Sequence, residues 1–363
     1  MHVLHVVGAR PNFMKASPVM RALQAYPGVR QTLVHTGQHY DANMSDVFLK
    51  QLEMPAPDVN LGVGSRSHAR QTAEIMIGFE QVVLDRRPDV VLVYGDVNST
   101  IATALVCAKL QVRTAHVEAG VRSNDRSMPE EINRVVTDCL ADLLLTPSED
   151  AEQNLRAAGV DPSRIRFVGN VLIDSLVRLL PAARAVKDPR IPEQFGLVTL
   201  HRPSNVDDSV NLKSLLETLV EINNDLRIVF PVHPRTRQRL GALGSEFKDL
   251  LLLDPMPYIE FLSIQSRATV VLTDSGGVQA ETTFLGVPCL TLRSNTEWPV
   301  TVQLGSNVLV GNDRQRLRQE LLRIREGRVR EASIPPLWDG HTGQRIAKIV
   351  CEIATSSAPS CLS

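Results

Sequence analysis

At 363 residues the chain is long for a single hydrophobic core, and at roughly 150 residues per domain two domains are expected. Its 43% hydrophobic and 22% charged residues are ordinary for a globular protein; Lys+Arg 39 against Asp+Glu 40 provides no general field for nucleic acid or a membrane surface, and 4% aromatics disfavour a single-strand binder. Cys107, Cys139, Cys289, Cys351 and Cys361 are scattered, odd in number and without CxxC, which suggests neither a disulfide framework nor a zinc site; with no secretory leader and no window near the ~20 apolar residues of a membrane span, a cytoplasmic location is expected.

Val3–Val7 is an apolar strand, followed by Gly8-Ala9-Arg10-Pro11-Asn12 and a helical pattern through Leu23. Thr32–His35 is a second strand, ending in Thr36-Gly37-Gln38-His39-Tyr40. Ser67–Leu84 has helical spacing, and Asp89–Tyr94 is a near-continuous apolar strand of the parallel-sheet kind. Gly95-Asp96-Val97-Asn98 follows it, with Asn98 placed to cap a helix over Ser99–Leu110. Val112–His116 is a strand running into Val117-Glu118-Ala119-Gly120, and Pro129-Glu130-Glu131 opens a helix with proline and acids in its first turn, where they are favoured. Strands Leu143–Leu145 and Ile165–Val168 flank a helix that Ser148 is placed to cap. At Pro181–Pro192 proline and charge replace the apolar rhythm, which predicts an inter-lobe linker.

The alternation then restarts with strand Leu197–Leu200 before His201-Arg202, helix Val210–Asn223, strand Ile228–Val232 before His233-Pro234, helix Ile259–Ser266 and strand Val270–Leu272. Asp274-Ser275-Gly276-Gly277 follows as a strand–turn–helix junction whose open N–H groups suit a phosphate. Strand Cys289–Leu292 and a last helix Gln344–Ala354 complete the pattern. The fold class is therefore α/β, with two doubly wound lobes: residues 1–180, residues 190–343, the 344–354 helix packing back on the first lobe, and a flexible tail 355–363.

Each informative polar cluster directly follows a strand, so Arg10, Lys15, Gln38, Asp96, Glu118, His201, His233 and Ser275 are expected along the carboxyl edges of the sheets, facing a cleft between the lobes. Arg10 and Lys15 are surface cations or, near the first helix start, ligands for a diphosphate. Asp96, Glu118 and Glu130 cap local structure or, in a chain without metal-ligand spacing, do acid/base work. His116 reads as a core histidine, and Trp298 and Trp338 as packing. Asp274-Ser275-Gly276-Gly277 also resembles a chymotrypsin-like nucleophile segment, but the α/β alternation overrules that class. G-x-S-x-G, G-x-G-x-x-G and Walker A are all missing, which speaks against an α/β-hydrolase, NAD and ATP.

Taken in order, Gly8-Ala9-Arg10-Pro11 with Lys15, Thr36-Gly37-Gln38-His39, Gly95-Asp96, His116-Val117-Glu118-Ala119-Gly120 with Arg122, Pro129-Glu130-Glu131 with Asn133-Arg134, Gly169-Asn170, His201-Arg202 with Asn205, Pro231-Val232-His233-Pro234, Asp274-Ser275-Gly276-Gly277-Val278-Gln279 with Glu281, and Thr296-Glu297 resemble the non-hydrolysing UDP-N-acetylglucosamine 2-epimerase family. The resemblance implies a GT-B fold of two Rossmann-like lobes, no metal or redox cofactor, and a homodimer. The implied reaction is reversible C2 epimerisation of UDP-N-acetylglucosamine to UDP-N-acetylmannosamine, by elimination of UDP to 2-acetamidoglucal and readdition. It implies Asp96, Glu118, Glu130 and His201 as catalytic residues. Arg10, Lys15, Arg134, His233, Tyr258, Ser275, Gly276, Gly277 and Glu281 are implied on the UDP-sugar, and Gln38 and His39 at an allosteric site.

The chain departs from the family pattern at Asn12-Phe13, where an aromatic also occurs among relatives acting on UDP-2,3-diacetamido sugars. Ala280 replaces one carboxylate, Trp298 and Val300 replace an Arg and a Glu, and Asp41 interrupts the allosteric motif. Alternatives are a hydrolysing 2-epimerase releasing UDP and ManNAc, a UDP-2,3-diacetamido-sugar 2-epimerase, a GT-B glycosyltransferase, and a UDP-sugar binding or sensor protein.

Overall fold

The computed structural model describes residues 1–38, 49–232, 236, 237, 239, 247 and 249–355; His39 and His233 lie outside the described residues. Along the chain run β1 (His2–Val7), α1 (Arg10–Leu23), β2 (Arg30–His35), β3 (Val59–Asn60), α2 (His68–Arg86), β4 (Val90–Tyr94), α3 (Asn98–Leu110), β5 (Thr114–Val117), α4 (Pro129–Leu140), β6 (Leu143–Thr146), α5 (Glu149–Ala157), β7 (Ile165–Phe167) and α6 (Val171–Ala185). They continue as β8 (Phe195–Thr199), α7 (Pro203–Val206), α8 (Ser209–Asn223), β9 (Arg227–Pro231), β10 (Leu251–Leu253), α9 (Tyr258–Gln265), β11 (Val270–Thr273), α10 (Gly276–Leu285), β12 (Cys289–Thr291), α11 (Pro299–Gln303), β13 (Asn307–Leu309), α12 (Arg314–Arg325) and α13 (Thr342–Thr355).

Two compact units result, one formed by Met1–Ser175 with Pro336–Ser363 and the other by Leu176–Pro335. In the first the strands run β3-β2-β1-β4-β5-β6-β7, in the second β10-β9-β8-β11-β12-β13, and every pairing is parallel. Each order is that of a Rossmann-like sheet, so the α/β class with two doubly wound lobes holds.

Successive strand residues point to opposite faces, and here both faces are covered. In the second unit Val198, Val270, Leu272 and Leu290 pack with Leu212, Leu216 and Leu317, whereas Leu197, Val229 and Val271 pack the other way with Ile264, Val278 and Val287. Full burial of each such side chain is worth about 1.5–3 kcal/mol. This explains why the strands read as unbroken apolar runs. In the first unit α13 lies against α1, with Gly343 so close to the Pro18 carbonyl that a Cβ would come within 2.7 Å of it.

Several local expectations change. Helix α3 begins one residue early, with Val97 at the cap and Asn98 inside the first turn. Ser148 sits at the N-cap of α5 but makes no capping hydrogen bond. Pro181 lies inside α6, four residues before its end, so the lost hydrogen bond falls in its last turns. Strands β3, β10 and β13, of two or three residues, are too short to show a period. The arginines of α12 obscure the spacing of its buried Leu317 and Leu321, although Asp313 caps it by accepting from Arg316 N at 2.9 Å.

Candidate active site

Strand order reverses between β1 and β4 in one unit and between β8 and β11 in the other, and in open parallel sheets ligands bind beyond the carboxyl ends of the strands at such points. The loops leaving β4, β5, β8 and β11 hold Asp96, Glu118, His201 and Ser275, and the helices that follow β1, β5 and β11 hold Arg10, Lys15, Glu130, Arg134, Gly276, Gly277 and Glu281.

In the first unit the β1–α1 turn is closed by its own side chain. Asn12 Oδ1 accepts from Gly8 N and Ala9 N, both at 3.0 Å, and its Nδ2 donates to the Tyr94 carbonyl at 2.8 Å. These two amides are therefore engaged by the protein. Arg10 is exposed at the start of α1, whereas Lys15 is turned inward and its Nζ donates to Glu118 Oε1 at 2.5 Å, with both side chains under 10% exposed. Glu118 directly follows β5 in the left-handed region, φ 76°, with its own N–H and that of Ala119 given to the Leu145 carbonyl. A non-glycine residue held there stores strain of about 1 kcal/mol or more, a feature that clusters at functional sites. Burial pushes the Glu118 carboxyl above its ordinary range; Lys15 opposes this and nearby Asp96 adds to it.

Asp96 is a quarter exposed and accepts from Arg134 Nη2 at 2.5 Å. Arg134 is buried, and its Nη1 donates to Glu131 Oε2 at 2.8 Å. Glu131 also takes Ser123 N, Ser123 Oγ and Asn124 N. Burial raises its carboxyl, but the Ser123 and Arg134 donors outweigh that and hold it below the usual range. Glu131 is thus tied into the Asp96–Arg134 network, and Glu130 is half-buried in the first turn of α4.

Helix α4 is inside out. Glu131, Asn133, Arg134, Thr137 and Asp138 are buried while Ile132 and Val135 are exposed. Its polar stripe at positions 131, 134 and 138 is the signal that could have found Glu131 and Asp138 from sequence. Asp138 joins His116 and Arg122; burial pushes its carboxyl up, but these two partners outweigh that and hold it below the usual range. His116 is fully buried, as expected of a core residue. Gln38 is also buried, its Oε1 accepting from Ser99 N at 3.1 Å and Ser99 Oγ at 2.7 Å at the start of α3.

In the second unit a fully buried carboxylate, Asp274, organises the β8 loop. It accepts from His201 N, Arg202 N and Asn205 Nδ2, the last at 3.0 Å. The His201 ring is left 60% exposed, with Nδ1 3.2 Å from Thr199 Oγ1. Asp274 also leads into Ser275, the N-cap of α10, whose first turn contains Gly276 and Gly277. The opening N–H groups of a helix have no intrahelical acceptor and, with the dipole, favour an anion. The protein already brings one carboxylate there: a Cβ on Gly276 would stand 2.3 Å from Glu297 Oε1 and 3.0 Å from Trp298 Nε1. Glu297 pairs with Arg293 at 2.7 Å and lies 3.6 Å from Arg202 Nη2. Trp298 and Trp338 are both buried, the latter donating from Nε1 to the Pro147 carbonyl at 2.8 Å. On α10, Glu281 accepts from Tyr258 Oη at 2.8 Å, and both are buried.

The chain was compared with known proteins. A family model described as UDP-N-acetylglucosamine 2-epimerase matches residues 21–351. The UDP-N-acetylglucosamine 2-epimerase of Methanocaldococcus jannaschii is 40% identical over 361 residues, 95% of this chain and 97% of that protein. The UDP-2,3-diacetamido-2,3-dideoxy-D-glucuronate 2-epimerase of Pseudomonas aeruginosa is 42% identical over 358 residues, 97% of this chain and all of the relative (100%). Among solved structures, the M. jannaschii enzyme in complex with UDP-GlcNAc and UDP gives a TM-score of 0.90 at 40% identity, covering 97% of this chain and 100% of that one. The Neisseria meningitidis UDP-GlcNAc 2-epimerase bound to UDP-GlcNAc gives 0.89 at 28% identity, with the same coverage of 97% and 100%.

Proposed function

Because the chain belongs to the UDP-N-acetylglucosamine 2-epimerase family, we propose that it is an isomerase that interconverts UDP-N-acetylglucosamine and UDP-N-acetylmannosamine. The observation that carries this reading to specific residues is the buried cluster Lys15–Glu118 beside Asp96–Arg134, two carboxylates at neighbouring strand ends, each held by one cation. The reaction breaks the anomeric C1–O bond, whose electron pair leaves with UDP, and removes the C2 proton, whose electron pair forms the C1=C2 bond of 2-acetamidoglucal. Protonation at C2 from the other face and readdition of UDP at C1 complete the inversion. Asp96 and Glu118 are the groups proposed to take and return the proton. A carboxyl raised by burial, as Glu118 is, comes closer to the pKa at which one group can do both. Glu130 is retained as a third acid/base candidate on the resemblance alone. Lys15, Arg134 and Arg10 supply positive charge in the first unit. In the second, His201 and the Ser275-Gly276-Gly277 helix start are proposed to stabilise the departing diphosphate, with Tyr258 and Glu281 on the nucleoside.

A second reading keeps the chemistry and changes the sugar. The Pseudomonas relative, at 42% identity over the same length, acts by its name on a 2,3-diacetamido uronate. Both substrates share UDP and the C2 acetamido group, so the residues above serve either. A homodimer is part of the proposal, supported by exposed apolar side chains on α2 (Ile77, Leu84) and on the inverted α4 (Ile132, Val135). So is a cytoplasmic location, which the free thiols of Cys107, Cys139, Cys289 and Cys351 fit. Among the described residues no helix is long and apolar enough to cross a membrane.

The test is incubation with UDP-GlcNAc in D2O, followed by NMR. UDP-ManNAc deuterated at C2 is expected; free ManNAc would mean hydrolysis, and reaction of only the 2,3-diacetamido nucleotide would move the substrate. Asp96→Asn is expected to abolish C2 exchange while UDP still binds by calorimetry, and wild-type exchange in that variant would remove Asp96 from the catalytic set.

A further inference from the structure

Three consecutive carbonyls at the end of β4 are each held by a side chain from a different element. Asn12 Nδ2 of α1 donates to Tyr94 O, His116 Nε2 of β5 to Gly95 O, and Asn133 Nδ2 of α4 to Asp96 O, all at 2.8 Å. This turn is the one that presents Asp96. Gly95 within it has φ 64°, and a Cβ there would lie 2.8 Å from Lys15 Nζ and 3.5 Å from Glu118 Oε1, so the turn runs directly against the buried ion pair.

The middle donor differs from the two asparagines. The His116 ring has no exposed surface, and its Nδ1 lies 2.6 Å from Asp138 Oδ1. Asp138 Oδ2 in turn accepts from Gly120 N at 3.1 Å and pairs with Arg122 at 2.7 Å. A carbonyl only accepts, and a carboxylate that already takes an amide and a guanidinium proton also accepts, so each ring nitrogen faces an acceptor. Burying a polar ring is unfavourable unless its nitrogens have partners, and here both do. The one ring thereby links the residue before Asp96 to the backbone just after Glu118.

We infer that His116 is a positioning residue for the C2 proton transfers, fixing the Gly95 carbonyl so that Asp96 stands at a set distance from Glu118. The inference rests on the epimerase reading. A ring that merely filled the core would need neither the Gly95 contact nor an anionic partner, and its loss would be felt only as stability.

Two substitutions separate the ring's nitrogens. His116→Gln places an amide N–H where Nε2 is and gives up the Asp138 contact; His116→Asn places one where Nδ1 is and gives up Gly95. His116→Asn is expected to lower kcat for C2 exchange about 100-fold, the scale of an ångström misplacement, with KM within twofold. His116→Gln is expected to rescue exchange to within about fivefold of wild type. Hydrogen–deuterium exchange mass spectrometry of the peptide around Gly95–Asn98 gives an activity-free readout, with faster uptake expected in the Asn variant only. Equal losses in both variants, losses that track melting temperature, or a fully active Asn variant with unchanged uptake would overturn the inference. If the Asn variant does not fold, the Gln variant decides alone: near-wild-type kcat supports the inference, and loss beyond tenfold or failure to fold overturns it. Wild-type protein without C2 exchange would refute the reaction instead, leaving the uptake contrast to judge His116.

Discussion

Removing the cation beside Glu118 is the most direct test of its role. Lys15→Met keeps the length of the side chain and deletes its charge, and the 2.5 Å contact is between two groups less than 10% exposed, so water cannot replace the lost partner in place. Breaking a buried pair from one side costs about 3–5 kcal/mol while the remaining carboxylate stays ionised. At 1.36 kcal/mol per pKa unit, Glu118 escapes that penalty by binding a proton, its pKa rising further by about two to four. Its carboxyl is already above the ordinary range through burial, so ionisation in the variant requires a more alkaline medium. The acid limb of the kcat profile for C2 exchange is therefore expected to move up by about two units, with the rate at low pH down about 100-fold and recovering as pH rises. Stability follows the same sign. A carboxyl whose folded pKa is raised contributes stability that is present below the unfolded pKa and lost as pH rises through the folded one. The variant's deficit should thus be small near pH 5 and large near pH 8. Exchange by NMR and thermal melts across that range measure both. An acid limb that stays in place or moves down would refute the assignment of Glu118 as a proton-transfer group.

Other perturbations test other parts of the site. Gly276→Ala puts a methyl group 2.3 Å from Glu297 Oε1, so the start of α10 and the 297–298 loop must separate; a rise of about tenfold in the Kd for UDP, or 1.4 kcal/mol, is expected by calorimetry, and an unchanged Kd would argue against this helix start as the diphosphate site. Asp174 accepts from Thr342 N and Gly343 N at the start of α13, and burial raises its carboxyl to about 6 from 3.8. Its protonated form therefore stabilises the fold below about pH 4, and about 3 kcal/mol is lost as pH rises through 6; urea titrations of wild type against Asp174→Asn should show the difference, and parallel pH curves would exclude it. Val135→Glu on the exposed face of α4 should turn a dimer into monomers by light scattering, whereas a monomeric wild type at micromolar concentration would dispose of the homodimer.

The fold was legible in the sequence because parallel strands buried on both faces leave long apolar runs, such as Val90–Tyr94 and Val270–Thr273, and because a polar cluster follows each one. What was not legible depends on pairings far apart in sequence. Lys15 reads as a surface cation until β1 and β5 are placed on either side of β4, where its partner is Glu118, 103 residues away. Glu130 and Glu131 are adjacent and chemically identical; only the rotation of α4 decides that Glu131 meets Arg134 and Ser123. Asn98 has the composition of an N-cap, but its Oδ1 accepts from Asn133 Nδ2 at 3.3 Å while its Nδ2 donates to Gln71 Oε1 at 2.8 Å, so tertiary contacts override the local preference. At Gly276 the glycine is required by the close approach of Glu297 and Trp298, a reason that a search for phosphate-binding turns does not supply.

The two units solve one problem twice. A loop that leaves a parallel strand at the switch point has no ladder to hold it, yet chemistry there requires side chains fixed to within a fraction of an ångström. In the second unit the solution is Asp274, a carboxylate with no exposed surface that takes the backbone N–H groups of His201 and Arg202. In the first it is Asp138, which takes Gly120 N and, through His116, reaches the Gly95 carbonyl. Each is a buried acid on which donors converge, so each trades solvation for hydrogen bonds that specify one loop conformation. Neither belongs to the groups proposed to move a proton. A buried aspartate thus holds the backbone of a strand-end loop in each unit, and of the groups proposed for the chemistry Asp96 and the His201 ring are left accessible while Glu118 is buried.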